Sequence, residues 1–368
     1  MASAALLWDV FCRVIDNHGD LGVCWRLARR LVALGQRVRL WADDASALAW
    51  MAPDGAPGVQ VLPWREPAPD ETPGDIVVEA FGCDPPPGFV AGMAAKARPP
   101  VWINVEYLSA EPYVARSHAL PSPQHSGPGA GLVKWFFYPG FDAATGGLLH
   151  EAGLAQEREA FDSEGWLASV GVAPQPGTQR ISLFCYAQPA LAAWLARWQE
   201  RPTQLLVTPG PAAEQVGALL GAPLRPGELL RRGALQAHGL PWLSQPGYDR
   251  LLWSCDLNHV RGEDSLVRAL WAGRPFVWQL YPQSDGAHAA KLEAFLGVYL
   301  HGADPALAAA LRTRFLQWNG LAAPDSAEAP LPAPWQAHAR SRGAALEAEQ
   351  QALGDLGIRL QRFVASKR

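Results

Sequence analysis

Two segments carry acidic residues and glycines at spacings that chemistry can use. The first reads Ile15, Asp16, Asn17, His18, Gly19, Asp20, Leu21, Gly22, and the second Arg261, Gly262, Glu263, Asp264, Ser265. Each follows an apolar run that reads as a strand and leads into a run with helical spacing. Glycine lets the backbone come close to a ligand, and the N–H groups at a helix start favour negative charge such as a diphosphate or a carboxylate. In the first segment two carboxylates would repel a phosphate, so Asp16 or Asp20 is better suited to act as a general base or to hold a cationic acceptor. Residue types alone also allow, and even favour, a plain helix cap at Asp20. The segment lacks the GxGxxG spacing, which disfavours a nicotinamide-dependent dehydrogenase.

In the second segment, Gly262 allows close backbone approach, and the N–H groups of Asp264 and Ser265 are placed to hold phosphate oxygens, with Arg261 or the Ser265 hydroxyl adding donors. Glu263 is suited to accept hydrogen bonds from sugar hydroxyls or to steady a developing charge. Taken singly, these residues equally make an ordinary helix start, with the acidic pair set against the macrodipole. Two polar, glycine-containing loops at equivalent strand-to-helix positions shift the balance toward ligand binding. Phe184, Tyr186 and Tyr248 are candidates to stack on a base, and Tyr281 and Gln283 to touch the sugar or diphosphate; packing is the alternative for each.

The elements that must position these residues alternate. Strands are expected over 6–14, 38–42, 59–62, 76–79 and 101–106, with helices over 23–34 and 46–51, and a proline-, serine- and glycine-rich surface loop over 120–131. A second cycle has strands over 181–185, 204–208 and 255–260 and helices over 189–200, 213–220 and 265–272. Short strands separated by helices predict open parallel sheets. The expected organisation is a Rossmann-like domain over 1–172, a stiff connector at 173–177, a second over 179–341, and a terminal helix over 342–368 that crosses back to the first. Ligand then lies beyond the carboxyl ends of the strands, with the two polar loops facing each other across a central cleft.

Composition fits this outline. A chain of 368 residues, 49% hydrophobic, exceeds the size of one usual core. Its longer apolar runs, 4–8 and 190–196, fall far short of the roughly 20 residues of a membrane helix. The N-terminus has no basic start or cleavage pattern, which predicts a cytoplasmic protein. Five cysteines without a CxxC pair predict reduced, buried thiols rather than a disulfide framework or zinc site. A net charge of −4 with no basic block disfavours nucleic acid. The 16 tryptophans are scattered, as core residues would be.

Read together, IDNHGDLGVCWRLARRL and RGEDSLVRALWAGRPFVWQLYPQ resemble the bacterial protein-arginine rhamnosyltransferases that modify elongation factor P, and the resemblance runs along essentially the whole chain. It implies a glycosyltransferase B fold, dTDP-β-L-rhamnose as donor, transfer with inversion to a guanidine nitrogen of elongation factor P, and no metal or other cofactor. It further implies Asp20 as general base, Asp16 holding the acceptor guanidinium or ordering its loop, and Glu263 supporting donor or transition state. Asp264 and Ser265 then serve the diphosphate and ribose; Phe184, Tyr186 and Tyr248 form the nucleotide pocket; and Asn17, Gly19, Arg261, Tyr281 and Gln283 surround the phosphates and sugar. The chain departs from the family pattern at His18, where an aromatic residue is usual, and at Cys24, where a small hydroxyl residue is common. Competing readings are a transferase of the same fold with a lipid or small-molecule acceptor, and a non-catalytic module that binds a translation factor.

Overall fold

The structure, a computed structural model, describes residues 5–15, 18–64, 72–282, 286–323 and 332–368. By their contacts the residues form two compact units, Met1–Ala152 with Ala348–Arg368, and Gly153–Glu347.

The first unit contains β1 (Leu7–Cys12), α1 (Gly19–Ala33), β2 (Arg37–Ala42), α2 (Leu48–Met51), β3 (Val59–Pro63), β4 (Ile76–Ala80), α3 (Pro87–Ala95), β5 (Val101–Val105), α4 (Pro112–Ser117), β6 (Pro121–Pro123) and β7 (Val133–Phe137). Its sheet has the order β3-β2-β1-β4-β5-β7-β6. All neighbours are parallel except β6, which runs antiparallel to β7. The central strands β1, β2, β4 and β5 are buried on both faces, as a parallel sheet covered by helices requires. Along β1, Trp8, Val10 and Cys12 enter the core shared with α1, while Phe11 enters the opposite one with Trp41, Phe89 and Trp102. On α1, Leu21, Cys24, Trp25, Ala28 and Leu31 recur at helical spacing and are buried. Gly35, at φ +83°, takes the left-handed turn that ends the helix.

The second unit contains α5 (Leu154–Glu159), α6 (Ser163–Ser169), β8 (Gln179–Leu183), α7 (Leu191–Trp198), β9 (Thr203–Val207), α8 (Pro211–Leu220), β10 (Leu229–Arg232), β11 (Leu235–Gly239), α9 (Gln245–Ser254), β12 (Leu257–Arg261), α10 (Gly262–Ala272), β13 (Phe276–Gln279), α11 (Ala287–Tyr299) and α12 (Pro305–Trp318). The strand order is β10-β11-β9-β8-β12-β13, with only β10 antiparallel to its neighbour among the described pairs. In both sheets the order reverses beside the first strand: between β1 and β4 in one, between β8 and β12 in the other. Crevices beyond the carboxyl ends of strands at such reversals are where doubly wound folds bind ligands.

Several expectations change in detail. The stretch 173–177 lies inside the second unit, because Leu167 and Val172 pack with Leu206, Leu240, Leu251 and Cys255. The tail is two helices, α13 (Ala333–Leu353) and α14 (Leu356–Lys367), with Gly354 at φ +93° and Asp355 capping the second through Gly357 N at 2.9 Å. Leu356, Leu360 and Val364 of α14 belong to the core of the first unit, and Arg30 of α1 pairs with Asp355 at 3.1 and 2.5 Å. The segment 120–131 is not all loop, since Pro121–Pro123 pairs with β7. All five cysteines are free and buried, and Trp8, Trp41, Trp194, Trp198, Trp271, Trp318 and Trp335 are fully buried. No helix among the described residues is long and apolar enough to cross a membrane.

Candidate active site

At the reversal in the first sheet, the chain leaves β1 at Cys12 and enters α1 at Gly19, four residues earlier than helical spacing predicts. Asp20 therefore sits in the first turn of α1, buried to 3% exposure. It does not cap the helix: His18 holds that position, and no side chain makes a cap bond there. Instead Asp20 Oδ2 accepts the Ile15 backbone N–H at 2.8 Å, and Oδ1 accepts the Tyr107 hydroxyl at 3.3 Å. Tyr107 follows β5, and its ring stacks on Phe81, which follows β4, at 4.2 Å and 10°. Asn104 of β5 ties these two loops, accepting from Gly82 N at 3.0 Å and donating to Glu106 at 2.7 Å.

Gly19 opens α1. His18 packs edge-on against Trp50 at 5.2 Å. The Cys24 thiol, one turn beyond Asp20, is pushed well above its ordinary value by a hydrogen bond with Cys12 and by burial, so it stays protonated and packs as an apolar group. Asp16, Asn17 and Gln283 lie outside the described residues.

The second unit gathers most of the other predicted residues at the carboxyl edge of β8, β12 and β13. Arg261 ends β12 and is nearly buried. Its guanidinium lies 4.3 Å from the Phe184 ring and 4.5 Å from the Tyr186 ring, and it donates to the Cys185 carbonyl at 3.2 Å. The planar, weakly hydrated guanidinium suits such a stacked site. Arg261 thus fixes the aromatic loop after β8. Tyr248 of α9 meets Phe184 at 5.6 Å, and Tyr281 meets Tyr186 edge-on at 5.3 Å while remaining 59% exposed. Burial pushes the Tyr248 phenol up, an effect partly offset by Ser265.

Gly262 takes φ +69° at the entrance to α10, a turn that glycine makes without strain. Its carbonyl accepts the Trp278 indole N–H at 2.9 Å. Glu263, Asp264 and Ser265 form the first turn of α10, with Ser265 buried. Glu263 is ion-paired with Lys291 of α11. Behind this turn, Arg268 grips Asp249 of α9 through two bonds of 2.8 and 2.7 Å. Among the described residues, no group of three or more His, Cys, Asp or Glu side chains could hold a metal ion.

Two contributors escape sequence reasoning. Gln279, at the end of β13, accepts Tyr186 N at 2.8 Å and donates to the Ala187 carbonyl at 3.2 Å. Gln215 of α8 donates to the Tyr186 carbonyl at 3.0 Å and accepts Gln188 N at 2.7 Å. Both glutamines fix the main chain of the aromatic loop, and no local motif marks either one.

Two doubly wound units in one chain, each with a polar strand-to-helix turn where strand order reverses, have the architecture of the glycosyltransferase B fold. A structure described as the structural basis for EarP-mediated arginine glycosylation of translation elongation factor EF-P matches with a TM-score of 0.67 at 33% identity, covering 99% of this chain and 100% of that one. A crystal structure of the glycotransferase of kitacinnamycin shares the fold, with a TM-score of 0.52 at 15% identity, covering 98% and 100%. The chain belongs to the family described as Elongation-Factor P (EF-P) rhamnosyltransferase EarP, which matches residues 8–365. A protein-arginine rhamnosyltransferase of Pseudomonas aeruginosa is 45% identical over 380 aligned residues, covering 97% of this chain and 98% of that protein. This is the family that the two long motifs resemble.

Proposed function

We propose that this protein transfers L-rhamnose from dTDP-β-L-rhamnose to a guanidine nitrogen of an arginine in elongation factor P, with inversion at the anomeric carbon and without a metal ion. The observation that carries the reading is the 45% identity to a protein-arginine rhamnosyltransferase over 97% of this chain. The geometry of each unit supports it.

An arginine guanidinium has a pKa above about 12 and delocalised lone pairs, so it is a poor nucleophile until it is oriented. Asp20, fixed through both carboxylate oxygens, orients it and accepts its proton. The family resemblance assigns Asp16 to holding the acceptor guanidinium or ordering its loop, and Asn17 to the phosphates and sugar. As the anomeric C–O bond breaks, the nitrogen lone pair forms the new C–N bond, the proton passes to Asp20, and dTDP leaves with the bonding electron pair.

The negative charge on the leaving diphosphate is met by the N-terminus of α10, through the N–H groups of Asp264 and Ser265, with Gly262 allowing close approach. Phe184, Tyr186 and Tyr248 hold the nucleotide, with Arg261 organising the first two; the family resemblance assigns Gly19, Tyr281 and Gln283 to the phosphates and sugar. Glu263 supports the donor or the charge that develops on the sugar.

The test is to incubate the protein with elongation factor P and dTDP-L-rhamnose, then fragment the product to locate the sugar and determine its anomeric configuration by NMR. An α-linked rhamnose on one arginine supports the reading. Modification of another residue type, or retained β configuration, contradicts it.

A further inference from the structure

Phe81 is a bulky residue in the left-handed backbone region, at φ +59°, followed by Gly82 at φ +66°. Such a conformation is strained for a non-glycine residue and persists where the surroundings enforce it. A glycine would make the turn without that strain. What phenylalanine adds is a ring, and that ring lies flat against Tyr107. The turn is held from both sides: Phe81 N donates to the Val105 carbonyl at 2.8 Å, and Gly82 N donates to Asn104. Tyr107 is thereby a rigid arm whose hydroxyl reaches Asp20 Oδ1 while Ile15 N–H holds Oδ2. Rotating the carboxylate would break one or both bonds.

We infer that Tyr107, seated on Phe81, is a positioning residue that sets the orientation of the Asp20 carboxylate for proton acceptance. The inference rests on the role proposed above for Asp20. Tyr107 is 38% exposed, so its ring is not a main element of the core, and removing its hydroxyl leaves the stack with Phe81 possible.

The test compares wild type, Tyr107→Phe and Phe81→Asn in steady-state transfer to elongation factor P, alongside Tm and dTDP binding. Asparagine tolerates the left-handed turn, so Phe81→Asn removes the ring while keeping the backbone. Tyr107→Phe is expected to lower kcat by about 10-fold or more, with KM for both substrates, dTDP affinity and Tm nearly unchanged, because misaimed reacting groups cost rate rather than binding. Phe81→Asn is expected to lower kcat in the same direction with the hydroxyl still present. Full kcat in Tyr107→Phe overturns the inference, as does a loss that appears in Tm or dTDP affinity rather than in kcat. Absence of transfer by wild type overturns the proposed function itself, a result distinct from an unaffected variant.

Discussion

Glu263, in the first turn of α10, is ion-paired with Lys291 of α11, and both side chains are mostly shielded from solvent. The pair fixes a carboxylate at the same turn whose N–H groups are assigned to the diphosphate. Truncating one member leaves the other charged and poorly solvated. Glu263→Gln is expected to lower kcat by roughly 100-fold, in the range of losing a preorganised electrostatic group. Lys291→Met, which leaves the carboxylate in place but unanchored, is expected to cost about 10-fold in kcat/KM for the donor. Steady-state kinetics with varied dTDP-rhamnose check both, and an unchanged Glu263→Gln enzyme would remove Glu263 from the chemistry.

Arg261 organises aromatic rings, so charge alone is not enough at that position. Arg261→Lys keeps the charge but loses the flat guanidinium that lies against Phe184 and Tyr186. Its dTDP affinity is expected to fall by about 10-fold, close to 1.4 kcal/mol, as read by calorimetry. Wild-type affinity in this variant would show that the stack is dispensable.

His259 lies in a cage of Trp194, Trp198 and Trp318, fully buried, with no hydrogen-bond partner for either ring nitrogen among the described residues. Burial, and secondarily Arg314, lowers its pKa from 6.5 to about 3. The folded value lies below the unfolded one, so the neutral ring favours the fold above pH 6.5, and that contribution is lost as pH falls from 6.5 toward 3. Within that window His259 is expected to cost roughly 1.4 kcal/mol of stability per pH unit. Urea unfolding of wild type and His259→Phe at several pH values should show a shallower acid loss in the variant; parallel curves would exclude His259 as a source.

The Asp249–Arg268 pair joins α9 to α10 in a buried setting. Arg268→Met strands the carboxylate and is expected to destabilise the protein by about 3–5 kcal/mol. Chemical denaturation measures this, and a loss below about 1 kcal/mol would mean that Asp249 finds another donor or takes up a proton.

The polar turns are legible in the sequence because each combines an apolar strand, glycine and acidic residues at a helix start, a pattern that local chemistry reads directly. The start of α1 at Gly19 is less legible, since Asp and Gly serve loops and first turns alike; the bond from Gly22 N–H to the His18 carbonyl at 2.9 Å settles which. The Glu263–Lys291 pair spans 28 positions and two helices, and nothing in the spacing marks Lys291. Gln279 is visible as a strand residue, but its hold on Tyr186 depends on the crossover that brings β13 to the same edge as β8. Short strands such as Pro121–Pro123 carry no β pattern of their own and exist because β7 supplies a partner. The positive φ of Phe81 contradicts residue preference outright, so no reading of propensity could place it.

The most direct test of the central claim is the intact mass of elongation factor P after incubation with dTDP-L-rhamnose and either wild-type protein or Asp20→Asn, in buffer containing a metal chelator. The expected result is one added deoxyhexose with wild type and none, or a small fraction, with the variant. An unmodified acceptor in the presence of folded, donor-binding wild type would contradict the assignment of function, and full modification by Asp20→Asn would contradict the role given to that carboxylate.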